Sequence, residues 1–274
     1  MNLFDETRRA WRRPGPPPVR TLLWRPKQDR WRSLVVLSHG SGGAAANLGW
    51  LAEALCDEGF LVAAVDHHGN SSDEELLPEG AAFWWERPAD LTVVVDHVQM
   101  TEKVGSAAVA GYSLGGYTAA AVLGARVDAA KLRRLYDGEP VLPIPPDRPD
   151  IVTENAELVA RYGRAAVDAR AVGDYRDRRF VAGVLLAQAI CPILSDASLS
   201  AIDRPVLVRW GGADEVEAPE VNGQRYTRLI PGADGRSMGQ HVGHFEFGDI
   251  PDGAAVRSEV LADVLPFFRA LLAD

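Results

Sequence analysis

The chain is poor in cysteine, in clustered positive charge and in long apolar runs, and each shortage excludes a class of protein. Two cysteines occur in 274 residues, Cys56 in EALCDEG and Cys191 in AQAICPIL, in unrelated apolar contexts without metal or CxxC spacing. They read as buried free thiols and not as a disulfide framework or a zinc site. No stretch approaches the roughly 18 consecutive apolar residues of a spanning helix. The arginine-bearing start MNLFDETRRAWRRPGPPPVR has no apolar h-region behind it. A soluble, cytoplasmic protein is expected. The net charge is −9 and no Lys/Arg-rich run exists, which argues against nucleic acid and anionic membrane surfaces as partners, because both are bound through clustered positive charge. No internal repeat is visible.

Apolar residues, in contrast, make up 47% of the chain, enough for a large core in one domain with room for an insertion. Residues 1–18 end in the cluster PGPPP, whose fixed φ and missing N–H groups predict a tail leading into a domain at 19–274. From Val19 onward, short aliphatic runs alternate with segments of helical period, the pattern of βαβ units and a mostly parallel, doubly covered sheet. The predicted strands are 19–24, 34–38, 61–65, 107–110, 181–186 and 206–210. Helices are predicted at 48–57, 90–100 and 254–272. The span 124–179 breaks this rhythm with the proline cluster LPIPPDRPD and two polar helical stretches, 129–136 and 156–171. It is read as an inserted helical cap, since long irregular segments are uncommon unless they form lids or binding elements. Its charge-rich DYRDRR run is read as a solvated face.

Gly111-Tyr112-Ser113-Leu114-Gly115-Gly116 carries the chemistry. A strand (AAVA) precedes G-x-S-x-G and a small-residue helix (TAAAVLG) follows, the context of a nucleophile elbow. Such a turn lifts Ser113 Oγ above the sheet edge. The helix behind it aims free N–H groups at the same spot, with the Leu114 N–H as one oxyanion donor. A second glycine-rich turn, His39-Gly40-Ser41-Gly42-Gly43, follows the strand LVVLS and offers the Ser41 N–H as the other donor, with Gly42 as the alternative.

Asp214 follows the strand 206–210 in GGAD, and His244 lies in GHF before the terminal helix. The chain order Ser, Asp, His is that of the α/β-hydrolases. A neutral His244 would take the Ser113 proton, and Asp214 would fix its tautomer. His241, His67 and His68 are the rival bases. Asp203 precedes a strand and falls at the wrong end of the sheet, while Asp196 is the alternative acid, from the loop of the earlier strand. Phe83, Trp84 and Trp85 line a substrate pocket or anchor the core, with Tyr112 as a further pocket residue. Arg87 and Asp90 in ERPAD read as an ion pair at a helix start.

LSHGSGG, VDHHGN, WERPADL, AGYSLGGYTAA, LGARVD, GGADEVEAP and GHFEF together resemble the dienelactone hydrolase-like group of α/β-hydrolases, itself similar to the platelet-activating-factor acetylhydrolases and the polyester-degrading cutinases. The likeness runs from about Ser33 to Pro266. This chain has Tyr112 where histidine is more usual, and Ser113 where dienelactone hydrolase has cysteine. The resemblance therefore implies an acyl hydrolase but no dienelactone substrate. The expected reaction is hydrolysis of small, short-chain carboxylic esters through an acyl-enzyme, without cofactor or metal. Lactone or amide hydrolysis by the same residues is the near alternative, and a catalytically silent scaffold for ligand sensing or interaction the distant one. Nothing in the sequence indicates an oligomeric state.

Overall fold

The computed structural model describes residues 1–27, 33–102, 104–142, 151–248 and 250–272. The proline cluster of the expected cap, from Pro143 onward, lies outside the described residues. Eight strands form one sheet: β1 (Asn2–Phe4), β2 (Pro18–Trp24), β3 (Leu34–Ser38), β4 (Leu61–Asp66), β5 (Ala107–Tyr112), β6 (Phe180–Leu186), β7 (Val206–Trp210) and β8 (Asp234–Ser237), in the order β1-β2-β4-β3-β5-β6-β7-β8. The pairs β1/β2 and β2/β4 are antiparallel, and every other pairing is parallel. Strands β3 and β4 are buried at every residue, as continuous aliphatic runs covered on both faces must be.

The helices divide between the two faces. On one side lie α1 (Gly49–Asp57) and α10 (Ala254–Leu272). The stripe Val256, Val260, Val264, Phe268 and Leu272 of α10 recurs every four residues and shares one buried cluster with Leu51, Ala52 and Leu55 of α1 and with Val62 and Ala64 of β4, Val184 of β6 and Leu207 of β7. On the other side lie α3 (Arg87–Thr101) and α4 (Leu114–Leu123). All ten residues of α4 are buried, and its small residues Gly115, Gly116 and Ala119 to Ala121 suit a helix packed closely between the sheet and its covering elements. The α3 helix begins at Arg87, with Pro88 in its first turn, where the missing N–H costs nothing.

Between β5 and β6 the chain forms α5 (Ala129–Tyr136), α6 (Ile151–Tyr162) and α7 (Arg164–Ala171). The predicted helix 156–171 is thus two helices, broken at Gly163, whose φ of 86° ends one and starts the next. The remaining short helices are α2 (Pro78–Ala82), α8 (Asp196–Ser200) and α9 (Gly223–Leu229).

The expectation that residues 1–18 form a tail is overturned. Residues 2–4 are a sheet strand, Pro18 begins the next, and Asp5 and Ala10 are buried between them. Arg8 explains the docking: its guanidinium is bonded to Asp5, to the Glu86 carbonyl and to Asp90, with the Glu86 carboxylate beside it. Asp90 also accepts from His67 Nδ1 at 2.7 Å. The ERPAD reading is corrected with it: the hydrogen-bonded partners of Asp90 are Arg8 and His67, while Arg87 donates to the His39 carbonyl. Asp90 and Glu86 would be left as buried, underpaired carboxyls without Arg8. We expect Arg8→Ala to destabilise the fold by about 3–5 kcal/mol, read as a lowered midpoint in denaturant. A midpoint unchanged from wild type would show that the arm contributes no net stability.

Candidate active site

Because β3 through β8 run parallel, the loops that follow them meet at one end of the sheet. After β3 the chain proceeds to β4 on one side, and β5 lies on the other, so a crevice opens between the loops after β3 and β5. The glycine turn 39–43 and the elbow at Ser113 are the two loops that border it.

At the elbow Ser113 has φ 54° and ψ −120°, a backbone that costs a non-glycine residue on the order of 1–3 kcal/mol. The surroundings enforce it. A Cβ on Gly111 would come within 1.9 Å of the Gly115 carbonyl oxygen, and one on Gly115 within 1.9 Å of that of Ser38, so the turn closes only with glycine at both positions. The Ser113 N–H donates to the Leu186 carbonyl at 2.9 Å. Its side chain is thereby aimed at His244.

His244 Nε2 lies 3.0 Å from Ser113 Oγ, and His244 Nδ1 lies 2.8 Å from Asp214 Oδ2. All three side chains are buried, Ser113 at 9% exposure. Asp214 Oδ1 accepts the Val216 N–H at 3.0 Å and the Glu217 N–H at 2.7 Å, so the carboxylate is held from both ends. Tyr112 donates its hydroxyl to the His244 carbonyl at 3.1 Å, with the two rings 5.3 Å apart. Its place is against the histidine loop.

Asp196 stands elsewhere. It is exposed, at the start of α8, ion-paired with Lys131 and Arg225, and Asp203 is exposed too. Of the other histidines, His241 is exposed and His68 faces Glu74. His67 is buried between Asp90 and Ser38, whose Oγ lies 2.8 Å from its Nε2. Burial, followed by Arg87 and Arg8, holds the His67 pKa well below the usual imidazole range. A neutral ring fits both partners, Nδ1–H donating to Asp90 and Nε2 accepting from Ser38.

In the glycine turn, Gly42 donates its N–H to Asn70 Oδ1 at 2.8 Å, which occupies the alternative donor. Among the described residues the N–H groups of Ser41 and Leu114 have no partner. The turn is braced from behind by Arg87 on the His39 carbonyl and by His39 Nδ1 on the Gly40 carbonyl, 2.6 Å away.

A cavity of about 290 Å³ opens beside Ser113, Ser41 and Leu114, walled by Trp84, Ile190 and Val216 and by Leu135, Tyr136 and Leu142 from the segment between β5 and β6. Of the three aromatics only Trp84 lines it; Phe83 and Trp85 stack together and meet Trp11 and Tyr162 in the core. Glu217, also on the wall, was not a sequence candidate. Burial, then the nearby Asp214, pushes its carboxyl up to about 8.

Among the described residues no group of three or more histidine, cysteine or acidic side chains could hold a metal ion, and no helix is long and apolar enough to cross a membrane. Both cysteines are free thiols, Cys191 buried and Cys56 half-buried.

Residues 29–136 match the family model described as serine aminopeptidase, S33. No curated protein sequence matches the chain significantly. Similar solved structures include a ferulic acid esterase from Streptomyces cinnamoneus, 19% identical with a TM-score of 0.61, covering 99% of this chain and 88% of that one. Est1E from Butyrivibrio proteoclasticus is 13% identical with a TM-score of 0.60, covering 100% and 99%. An alpha-beta serine hydrolase homologue from Coxiella burnetii is 16% identical with a TM-score of 0.56, covering 96% and 97%. With its mostly parallel eight-stranded sheet and the end-to-end match to these structures, the chain has the α/β-hydrolase fold.

Proposed function

We propose that the protein is a serine esterase that hydrolyses small carboxylic esters with short acyl chains, with Ser113 as nucleophile, His244 as base and Asp214 as acid. The observation that carries this reading is the pair of contacts at the cavity mouth, Ser113 Oγ to His244 Nε2 at 3.0 Å and His244 Nδ1 to Asp214 at 2.8 Å. Ser113 Oγ attacks the ester carbonyl as Nε2 takes its proton, and Asp214 stabilises the imidazolium. The carbonyl oxygen becomes an oxyanion between the N–H groups of Ser41 and Leu114. Nε2–H then protonates the leaving alkoxide. In the second half, Nε2 takes a proton from water, which attacks the acyl-enzyme, and returns it to Ser113 Oγ as the acid product leaves. The esterase neighbours and the dienelactone hydrolase-like motifs support ester chemistry, and no step calls for a cofactor.

The matched family's description favours amide substrates with a free amine. Against that reading, the acids on the cavity wall are Glu139 and Glu217, and Glu217, pushed up to about 8, is mostly uncharged at neutral pH. It is a poor seat for an ammonium group. The unpartnered N–H groups of Ser41 and Leu114, facing an ordered serine and histidine, argue against a silent scaffold.

In this reading the described helices between α4 and β6 belong to a cap, and Leu135, Tyr136 and Leu142 wall one side of the cleft. A cavity of about 290 Å³ lies at the small end of ligand sites, which run from about 300 to 1,000 Å³. Each added methylene contributes about 0.8 kcal/mol while apolar room lasts. We expect kcat/KM for p-nitrophenyl esters to peak at about two to six acyl carbons, with aminoacyl p-nitroanilides left uncleaved and a fluorophosphonate probe labelling Ser113. A profile still rising at long chains would replace the covered cleft by an open groove. Cleaved anilides would restore the amide reading, and an unlabelled Ser113 would restore the silent scaffold.

A further inference from the structure

The loop after β6 contains a second strained residue beside the nucleophile. Ile190 has φ 55° and ψ 20°, the left-handed region, where a β-branched side chain is a genuine outlier. A conformation this unfavourable persists only where the surroundings over-determine it, and here the backbone on both sides of Ile190 is held. Ala189 N–H donates to the Ser113 carbonyl at 3.1 Å, and Tyr226 Oη donates to the Ala189 carbonyl at 3.1 Å. The Ile190 carbonyl accepts the Ile193 N–H at 3.2 Å. Cys191 N–H donates to Asn222 Oδ1 at 2.9 Å, and Arg225 holds the Cys191 carbonyl. Asn222 Nδ2 in turn donates to Glu217 Oε2 at 2.9 Å.

Glu217 is the link between this loop and the rest of the site. Its carboxyl accepts from Asn222, which holds the Cys191 N–H next to the strained residue, while its own N–H donates to Asp214. The consequence is geometric: the left-handed turn puts the Ile190 side chain on the cavity wall beside Ser113, with Val216 and Glu217 on the neighbouring wall. We propose that Glu217 is a specificity-determining residue, locking Ile190 in its left-handed backbone as the wall that limits the acyl group, an inference that rests on the esterase reading of the same cavity. Glu217 acts through Ile190 and is therefore a positioning residue.

The test reads the backbone and the selectivity separately. In protein labelled selectively with ¹³C-isoleucine, Glu217→Ala should move the Ile190 Cα and Cβ resonances from left-handed to ordinary positions. The ratio of kcat/KM for p-nitrophenyl hexanoate to that for the acetate should rise about tenfold, the scale of one or two methylenes newly accommodated. Ile190→Gly, whose backbone adopts the turn without help, should raise the ratio by itself, and adding Glu217→Ala in that background should raise it no further. Unmoved Ile190 resonances in Glu217→Ala overturn the proposal whatever the activity. So does an unchanged ratio in Ile190→Gly, which also serves if the alanine variant fails to fold. A wild type that turns over no ester overturns the esterase reading alone, because the resonance test needs no substrate.

Discussion

Ser113→Ala is expected to abolish p-nitrophenyl acetate hydrolysis and leave the fold intact. The loss should be on the order of a million-fold in turnover, the scale at which removal of a triad serine leaves only binding and oxyanion stabilisation. The fold should survive because every structural bond of Ser113 is made by its backbone: N–H to Leu186, carbonyl to the N–H groups of Gly116 and Ala189. The hydroxyl is bonded to His244 alone. Alanine also suffers the same backbone penalty as serine at φ 54°, so the strained turn is neither relieved nor worsened. The measurement pairs a progress curve at high enzyme concentration with a denaturation midpoint. More than a few per cent residual activity in a folded variant would remove Ser113 from the role of nucleophile.

How far the molecule could be read from its sequence depends on whether a residue's role is set by its neighbours in the chain or by contacts far along it. Leu34–Ser38 and Val206–Trp210 are legible to the residue because the aliphatic runs LVVL and VLV are what a strand buried on both faces requires. The elbow was legible because its steric demand, glycine on both sides of Ser113, is written in five consecutive positions. Asp214 could be named as a candidate because it follows the strand 206–210, and His244 because it lies in GHF ahead of the terminal helix in the chain order Ser, Asp, His. The edge strands were not legible. Asn2–Phe4 is three residues long, and Asp234–Ser237 is polar throughout because it pairs on one side only, so neither has an apolar run to betray it.

The N-terminal arm failed for a different reason: its prolines obey the local rule, but Arg8 finds its partners about eighty positions away in Glu86 and Asp90, and no local pattern carries that pairing. The three adjacent aromatics show the same limit. Phe83, Trp84 and Trp85 sit where the chain passes from one short helix to another, so neither a period of 2 nor of 3.6 fixes which ring turns to the cavity. The conformation of Ile190 runs against its own propensity. A sequence argument sensibly assigns positive φ to glycine or asparagine, and strain of this kind appears only where several distant residues impose it. Glu217, which reaches this loop through Asn222, looks in the sequence like one more acid in GGADEVEAP.

Asp214→Asn is the sharper test of the acid, because it changes one atom and keeps the shape. In the folded protein Asp214 Oδ1 accepts from the N–H groups of Val216 and Glu217, and Oδ2 accepts from His244 Nδ1. Asparagine must keep its one oxygen toward the two backbone donors, since the reverse orientation would set its NH₂ against two N–H groups. Its NH₂ then faces His244 Nδ1 and can be satisfied only if that nitrogen carries no proton. The ring proton is forced onto Nε2, which points at Ser113, and a protonated Nε2 cannot take the serine's proton. Turnover should fall roughly ten-thousand-fold with little loss of stability. Asp196→Asn is the control. Its carboxylate is 60% exposed and pairs with Lys131 and Arg225 at the surface, so its removal should change turnover by less than about threefold, in keeping with the small worth of exposed pairs. Steady-state kinetics of both variants on p-nitrophenyl acetate decides the matter: a large loss in Asp196→Asn with near-normal turnover in Asp214→Asn would move the acid to the loop after β6.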